Sequence, residues 1–322
     1  MENKKNVFLR KVISILGRYN YLLIFAFLIV LSSCISDNFL TIRNIFNLIR
    51  QNAGASILAM GMLLVIMTGG IDLSVGSIVA VSSILLSYSA TVLDLPILVA
   101  LLIALVGGCL IGGFTGVLVA HVKMAPFIAT LAMTTIAKGI AFMFSDGTAI
   151  LIKDSPISFF GTGTLLGVPW LLYLIVLSVC VTEYLIRKTS FGRLLVAIGN
   201  NETAVALSGT NVKKYKFFVY VIIGFCAAIA GIISVSRTDV GSPIIGDDMA
   251  LNAIAAVVIG GTSLSGGKGS ATATIVGVFI LALITNIMNL LSVPTYPQQI
   301  IKGLIIIVAV LLQNGKPSLK KS

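Results

Sequence analysis

About 20 consecutive apolar residues carry an α-helix across the roughly 30 Å hydrocarbon core of a bilayer. The chain offers such runs one after another, at roughly 19–36, 52–68, 74–93, 95–120, 126–144, 169–186, 217–236, 249–265, 270–291 and 298–313. Inside hydrocarbon every backbone N–H and C=O must find its partner within the protein, so repeated runs of this length leave helices as the solution. The expected architecture is an all-α integral membrane protein of about ten transmembrane helices. Some runs are short or Gly-rich, which sets the range at eight to ten. Pro126 and Pro169 stand where two helices would begin, a position that tolerates the missing N–H.

Composition agrees. Of 322 residues, 57% are hydrophobic and 10% charged, against about 25% charged in soluble chains. The spans use up the length, so one transmembrane domain is expected over 19–313. It lies between a basic N-terminal segment, 1–18, and a tail, 314–322.

The net charge of +11 could point to nucleic acid, but its placement points to membrane orientation. With the N-terminus inside and the spans alternating, four Lys or Arg fall in outer segments: Arg43, Arg50, Lys153 and Arg237. Lys138 and Lys302 fall within spans, and all the rest fall inside. Every aspartate except Asp72 falls outside. This satisfies the positive-inside rule with both termini cytoplasmic.

Lys138, Glu183 and Lys302 are the ionisable residues expected within spans. Glu183 and Lys302 lie near span ends and can snorkel. Lys138 is deep, so it must be paired or face a wet cavity. Gly108, Gly112 and Gly116 recur every four residues, a small-residue face for close helix packing. The four cysteines sit in apolar runs without metal-ligand spacing and read as buried small hydrophobes.

Leu264-Ser265-Gly266-Gly267-Lys268 looks like part of a nucleotide site, and counting excludes a phosphate-binding loop. Thr262 stands where the first glycine is required, and Gly269 where Ser or Thr must hold magnesium. No catalytic set and no metal cluster is legible, and His121 is the one histidine, so an enzyme is not indicated. The same segment echoes an earlier one: residues 69–76 and 260–267 both read G-G-x-x-L-S-x-G. Helix breaks in corresponding halves of a transporter often mark the pathway, which makes Asp72, Ser74, Ser263 and Ser265 pathway candidates alongside Lys138. Helix-end turns, with Asp72 or Ser74 as a cap, are the equal alternative.

Residues 187–216 form the one substantial polar loop on the basic side. Within it, 201–209 reads as a short surface helix: Asn201 as its cap, Glu202 at its positive start and Gly209 at its end. Such a helix suits a docking element as well as a plain connector.

Three stretches then carry a resemblance: GGIDLSVGS (69–77), AIGNNETAVALSGTNV (197–212) and AIAAVVIGGTSLSGGKGS (253–270). In that order they resemble the signatures of ABC sugar permeases of the ribose/xylose/arabinose/galactoside family, and the likeness runs from about Asn38 to Gln313. It implies a translocation subunit in a bacterial cytoplasmic membrane, usually paired with a second copy. It also implies a separate cytoplasmic ATPase that holds ATP and magnesium, and a periplasmic or surface-tethered sugar-binding protein. This chain itself is expected to bind no cofactor. The loop resembles the importers' coupling motif, which assigns coupling to Gly199, Asn201, Glu202, Ala204, Leu207, Ser208 and Gly209. Thr203, Asn200 and Thr210 depart from the family pattern at three places. Ile71 in GIDLSVG resembles ribose-type rather than galactose-type members, so the expected cargo is a monosaccharide, ribose or another pentose.

Arg43, Arg50 and Arg237 break the charge trend and are expected to dock the binding protein through its carboxylates. Two alternatives remain at this point: a stand-alone sugar facilitator or channel, and the same importer family with another cargo, such as a hexose, a polyol or a sugar-like signal.

Overall fold

In a computed structural model the described residues are 20–152 and 156–314. The terminal segments, with most of their basic residues, and Lys153 and Asp154 lie outside them. The helices are α1 (Asn20–Ile35), α2 (Ile42–Met67), α3 (Val75–Thr91), α4 (Ile97–Ala120) and α5 (Pro126–Ser145). After a two-residue strand, β1 (Ile150–Leu151), come α6 (Ile157–Thr162) and a tight hairpin of β2 (Thr164–Leu165) and β3 (Val168–Pro169). Then follow α7 (Trp170–Lys188), α8 (Ser190–Asn200), α9 (Glu202–Leu207) and α10 (Val212–Thr238). The chain continues through β4 (Val240–Gly241) to α11 (Met249–Ile259), α12 (Ala271–Leu290) and α13 (Thr295–Asn314). The strands are confined to two antiparallel ladders, β1 with β4 and β2 with β3, so the body is helical.

Among the described residues, α2, α4, α5, α7, α10 and α12 are long and apolar enough to cross a membrane. Three shorter apolar helices, α1, α3 and α11, accompany them. Most boundaries fall within two or three residues of the sequence expectation, and Pro126 and Pro169 do begin helices.

Two expectations need correction. Helix α2 begins at Ile42, ten residues before the expected span. Its first turns carry Asn44, Asn47, Gln51 and Asn52, which ended the hydropathy run. A helix packed inside a bundle need not be apolar toward lipid on every side. The expected outer loop holding Arg43 and Arg50 is therefore the first part of a helix. The second correction is the run 249–265, which is helical only to Ile259. Eleven residues rise about 16 Å, half of what a full crossing needs.

Helices α2 and α10 form the centre, with α3, α4, α7 and α12 around them. The tightest contact is the crossing of α4 and α10, where glycines let main chains meet. A Cβ on Gly108 would lie 2.8 Å from the Gly224 carbonyl oxygen, and one on Gly112 2.9 Å from the Gly224 Cα. The predicted glycine face is thus a helix-packing surface.

Segment 240–248 does not stay at the surface. It runs along α3, with the Ser242 N–H donating to Ser83 Oγ at 3.4 Å. Farther in, Gly246 packs where a Cβ would lie 3.0 Å from that of Val79. Gly246 also abuts Gly76 in the first turn of α3. Helix α11 therefore starts inside the bundle, beside the start of α3.

Candidate functional site

The three signature stretches, far apart in sequence, meet at one end of the bundle. Helix α2 ends in a Schellman stop: Gly69 N–H donates to Ile66 O at 2.9 Å and Gly70 N–H to Val65 O at 3.2 Å. Helix α11 ends the same way, with Gly261 N–H on Val258 O at 2.8 Å and Thr262 N–H on Val257 O at 3.2 Å. This motif places a left-handed residue at the turn, where glycine costs least, and Gly69 and Gly261 have φ of +78° and +86°. The turning glycine is the first of the pair in one stretch and the second in the other, so the letter repeat and the backbone repeat differ by one residue.

The turn that follows the second stop, before α12, touches the first. Gly267 N–H donates to Met67 O at 3.0 Å, and a Cβ on Gly266 would lie 2.8 Å from the Gly69 nitrogen. Gly199, near the end of α8, fills the remaining space: any Cβ there would overlap the Met67 carbonyl oxygen and the Gly267 nitrogen. Asn200 lies against Gly267 in the same way.

Helix α8 was not foreseen. Thr189 caps it, its Oγ accepting from Gly192 N–H at 3.2 Å, and it buries Gly192, Leu195 and Ile198 against the bundle. The short helix α9 has the expected cap, with Asn201 Oδ1 accepting from Ala204 N–H at 2.9 Å. It ends at Leu207, and Gly209 follows with φ +82°. Glu202 pairs with Lys216 Nζ at 2.5 Å. No residue of α9 is buried, and Leu207 is 84% exposed. Of the coupling candidates, Gly199 sits in the junction, and Asn201, Glu202, Ala204, Leu207, Ser208 and Gly209 lie exposed on the surface beyond it.

The pathway candidates do not form one cluster. Asp72 is fully buried, and its Oδ1 accepts from Ser74 N–H at 2.8 Å and Ser74 Oγ–H at 2.6 Å. That geometry holds the turn leading into α3. Ser263 does the same job in its own turn, its Oγ accepting from Ser265 N–H at 3.3 Å. Lys138 pairs instead with Asp247, 2.9 and 3.0 Å from the two carboxylate oxygens, with both side chains partly exposed. Glu183 is not a snorkelling end residue: its Oε2 accepts from Ala271 N–H at 2.7 Å, fixing the start of α12 to α7, and it also pairs with Arg187.

At the opposite end, two of the three outer arginines share the short helix α6. Arg50 Nη2 donates to Thr162 O at 2.7 Å. The Arg237 backbone lies against Gly161. Arg43 is exposed at the start of α2.

Between α2, α11, α12 and α13 lies a cavity of about 220 Å³. Its polar lining is Gln51, Asn52, Asn252, Thr285, Asn286 and Lys302. The sequence reading named only Lys302, as a span-end residue. Amides inside apolar runs are the signal that could have found the rest.

Comparison with known proteins follows the same lines. Residues 44–310 match the family described as branched-chain amino acid transport system / permease component. The chain is 42% identical over 291 residues to the ribose import permease protein RbsC of Haemophilus influenzae, covering 89% of this chain and 90% of that one. It is 41% identical over 291 residues to the RbsC of Bacillus subtilis, covering 90% of each. The L-arabinose transport system permease protein AraH of Escherichia coli K12 is 34% identical over 309 residues, 95% of this chain and 93% of that one. No solved structure matches. A family match spanning most of the chain, and relatives alike along nearly their whole length, place this multi-pass membrane protein in the family of transport-system permease components.

Proposed function

We propose that the chain is the translocation subunit of an ATP-driven importer that carries ribose, or another pentose, across the inner membrane of a bacterium. Similarity to ribose import permeases along nearly the whole chain supports the cargo. The observation that carries the mechanism is the junction of Gly199 with Met67, Gly266 and Gly267. It ties the exposed helix α9 to the end of α2, a helix of the core, and to the turn between α11 and α12. ATP and magnesium bind a separate cytoplasmic ATPase, which grips α9 through Glu202 and Leu207. Closure of the ATPase moves α8 and α9, and the junction passes that motion to α2 and to the turn that joins α11 and α12. Such a shift works only if the two conformations bind the partners with different free energies.

A sugar-binding protein delivers cargo at the opposite end, where Arg43, Arg50 and Arg237 meet its carboxylates. A second copy of the chain completes the channel. Asp72 and Ser263 act as positioning residues that hold the two turns, and Lys138 and Asp247 hold segment 240–248 against α5.

The test is a mild-detergent purification of the tagged chain from native membranes, then reconstitution into liposomes. Recovery of a second copy, an ATPase and a sugar-binding protein, with ribose uptake that requires ATP, is the expected result. Recovery of the chain alone, with sugar uptake indifferent to ATP, overturns the proposal in favour of a facilitator.

A further inference from the structure

Resting on the reading as a sugar permease, we infer that the cavity between α2, α11, α12 and α13 is a transit site at which this chain itself hydrogen-bonds the neutral sugar. Four observations carry it.

First, the polar groups there have spare bonding capacity. Gln51, Asn252 and Lys302 make no side-chain hydrogen bond or ion pair among the described residues. Asn52 donates to Leu48 O at 2.8 Å, which leaves its carbonyl oxygen available. Thr285 donates to Leu281 O at 3.0 Å, which leaves its lone pairs. Polar side chains without partners on helices of a membrane bundle are costly toward lipid, so these face a wet space or a ligand.

Second, the site is held in place. Asn44 and Asn286 form a reciprocal amide pair, at 3.1 and 2.9 Å. That pair locks α12 to α2 at the cavity rim and fixes the orientation of Asn286.

Third, the floor is made small. Ala55, Ala253, Ala256 and Ala282 line it beside Leu48, Val278 and Leu281, and a longer side chain at any of the four alanines would take up the space. At about 220 Å³ the cavity lies below the roughly 300–1,000 Å³ of drug-sized pockets. An apolar floor under an amide rim suits a ring with C–H faces and hydroxyl edges.

Fourth, the charge is wrong for a cationic cargo, and the amides suit a neutral one. Amides dominate, Lys302 is the one charged residue in the lining, and no carboxylate is present. A cation has no counter-charge here, and a carboxylate or phosphate would find one. An amide offers both donor and acceptor, which matches a hydroxyl that does the same. No aromatic ring lines the cavity, so the sugar is held by few contacts. A transport site must bind well enough to admit its cargo and weakly enough to release it.

The experiment uses the whole complex in liposomes, with sugar imported and ATP hydrolysed measured together. Gln51→Leu with Asn252→Leu should lower the moles of sugar imported per mole of ATP at least tenfold. Co-purification of the ATPase shows that the variant assembles. Where it does not, Gln51→Cys and Asn252→Cys are assembled first and then modified with a small thiol reagent, in a background with Cys34, Cys109, Cys180 and Cys226 replaced. Block of uptake on modification is expected. Uptake per ATP within twofold of wild type, for the leucine variant or after complete modification, overturns the transit site and leaves a water-filled vestibule. The functional reading is judged separately, by whether the wild-type complex imports ribose. The site is judged on the ratio of variant to wild type with whichever neutral sugar the wild type carries.

Discussion

The backbone N–H of Gly267 donates to the carbonyl oxygen of Met67 at 3.0 Å, joining the end of α2 to the turn between α11 and α12, 200 residues on in sequence. Gly199 is wedged against both atoms. Replacing it with valine forces main chains apart, and overpacking of this kind costs about 1–3 kcal/mol. Gly199→Val should lower the detergent Tm and abolish ATP-driven uptake. Normal uptake with a lowered Tm would mean that the junction is structural only.

Glu202→Lys separates folding from coupling. Glu202 is half-exposed, and its pair with Lys216 is of a kind worth about 0–1 kcal/mol. The variant should insert and keep its Tm while losing capture of the ATPase in a pull-down. Capture at wild-type levels would remove α9 from the coupling route.

Asp72 offers a clean pair of variants. Asparagine can still accept from the Ser74 N–H and hydroxyl, whereas alanine cannot. Loss of a capping bond costs about 1 kcal/mol. Asp72→Ala should therefore lower thermal stability and Asp72→Asn should not, as read by fluorescence-detected size exclusion after heating. Full stability with abolished uptake in Asp72→Asn would instead put the carboxylate on the sugar's route.

Lys138 and Asp247 should behave as a unit. A charge at the centre of a spanning helix costs about 2.5–3.5 kcal/mol on insertion scales, and this partly exposed pair stands to lose less than that when one partner is removed. Lys138→Met alone and Asp247→Asn alone should each cut the yield of folded protein several-fold. The exchange Lys138→Asp with Asp247→Lys should recover it. An exchange as poor as the single variants would show that the pair contributes nothing by its charge.

Charge reversal at Arg43 should weaken capture of the binding protein about tenfold, with a steeper dependence on salt, as expected of exposed interface charges. Arg50→Glu should do the same and also loosen α6, because it loses the Thr162 carbonyl. Unchanged affinity in Arg43→Glu would exclude that residue from the docking face.

Most of the helical frame was legible because hydropathy reports what faces lipid. It failed where a helix faces protein. Asn44, Asn47 and Gln51 ended the apolar run and hid the first ten residues of α2, although Gln51 lines the cavity and Asn44 holds Asn286 at its rim. It failed again after Ile259, where the expected span was carried on through Gly260, Gly261, Thr262 and Ser263 although the glycine pair marks a stop. Helix α9 was legible because Asn201 is a cap with a local mechanism. Its neighbour α8 has one too, at Thr189, but the arginines of the loop masked the buried stripe of Leu195 and Ile198. No spacing in the sequence could show that Gly199, Gly69 and Gly267 meet, since close approach of main chains leaves no side-chain pattern.

The crossing of α4 and α10 leaves no slack. With main chains in contact at Gly108, Gly112 and Gly224, neither helix can roll or slide on the other without atoms colliding. The two travel as a single beam, and α10 begins five residues after α9 ends. A pull on α9 is thus delivered to a two-helix lever rather than absorbed by one bending rod. The give in the machine has to lie elsewhere, in the short helices α3 and α11 and the extended strand of chain between α10 and α11.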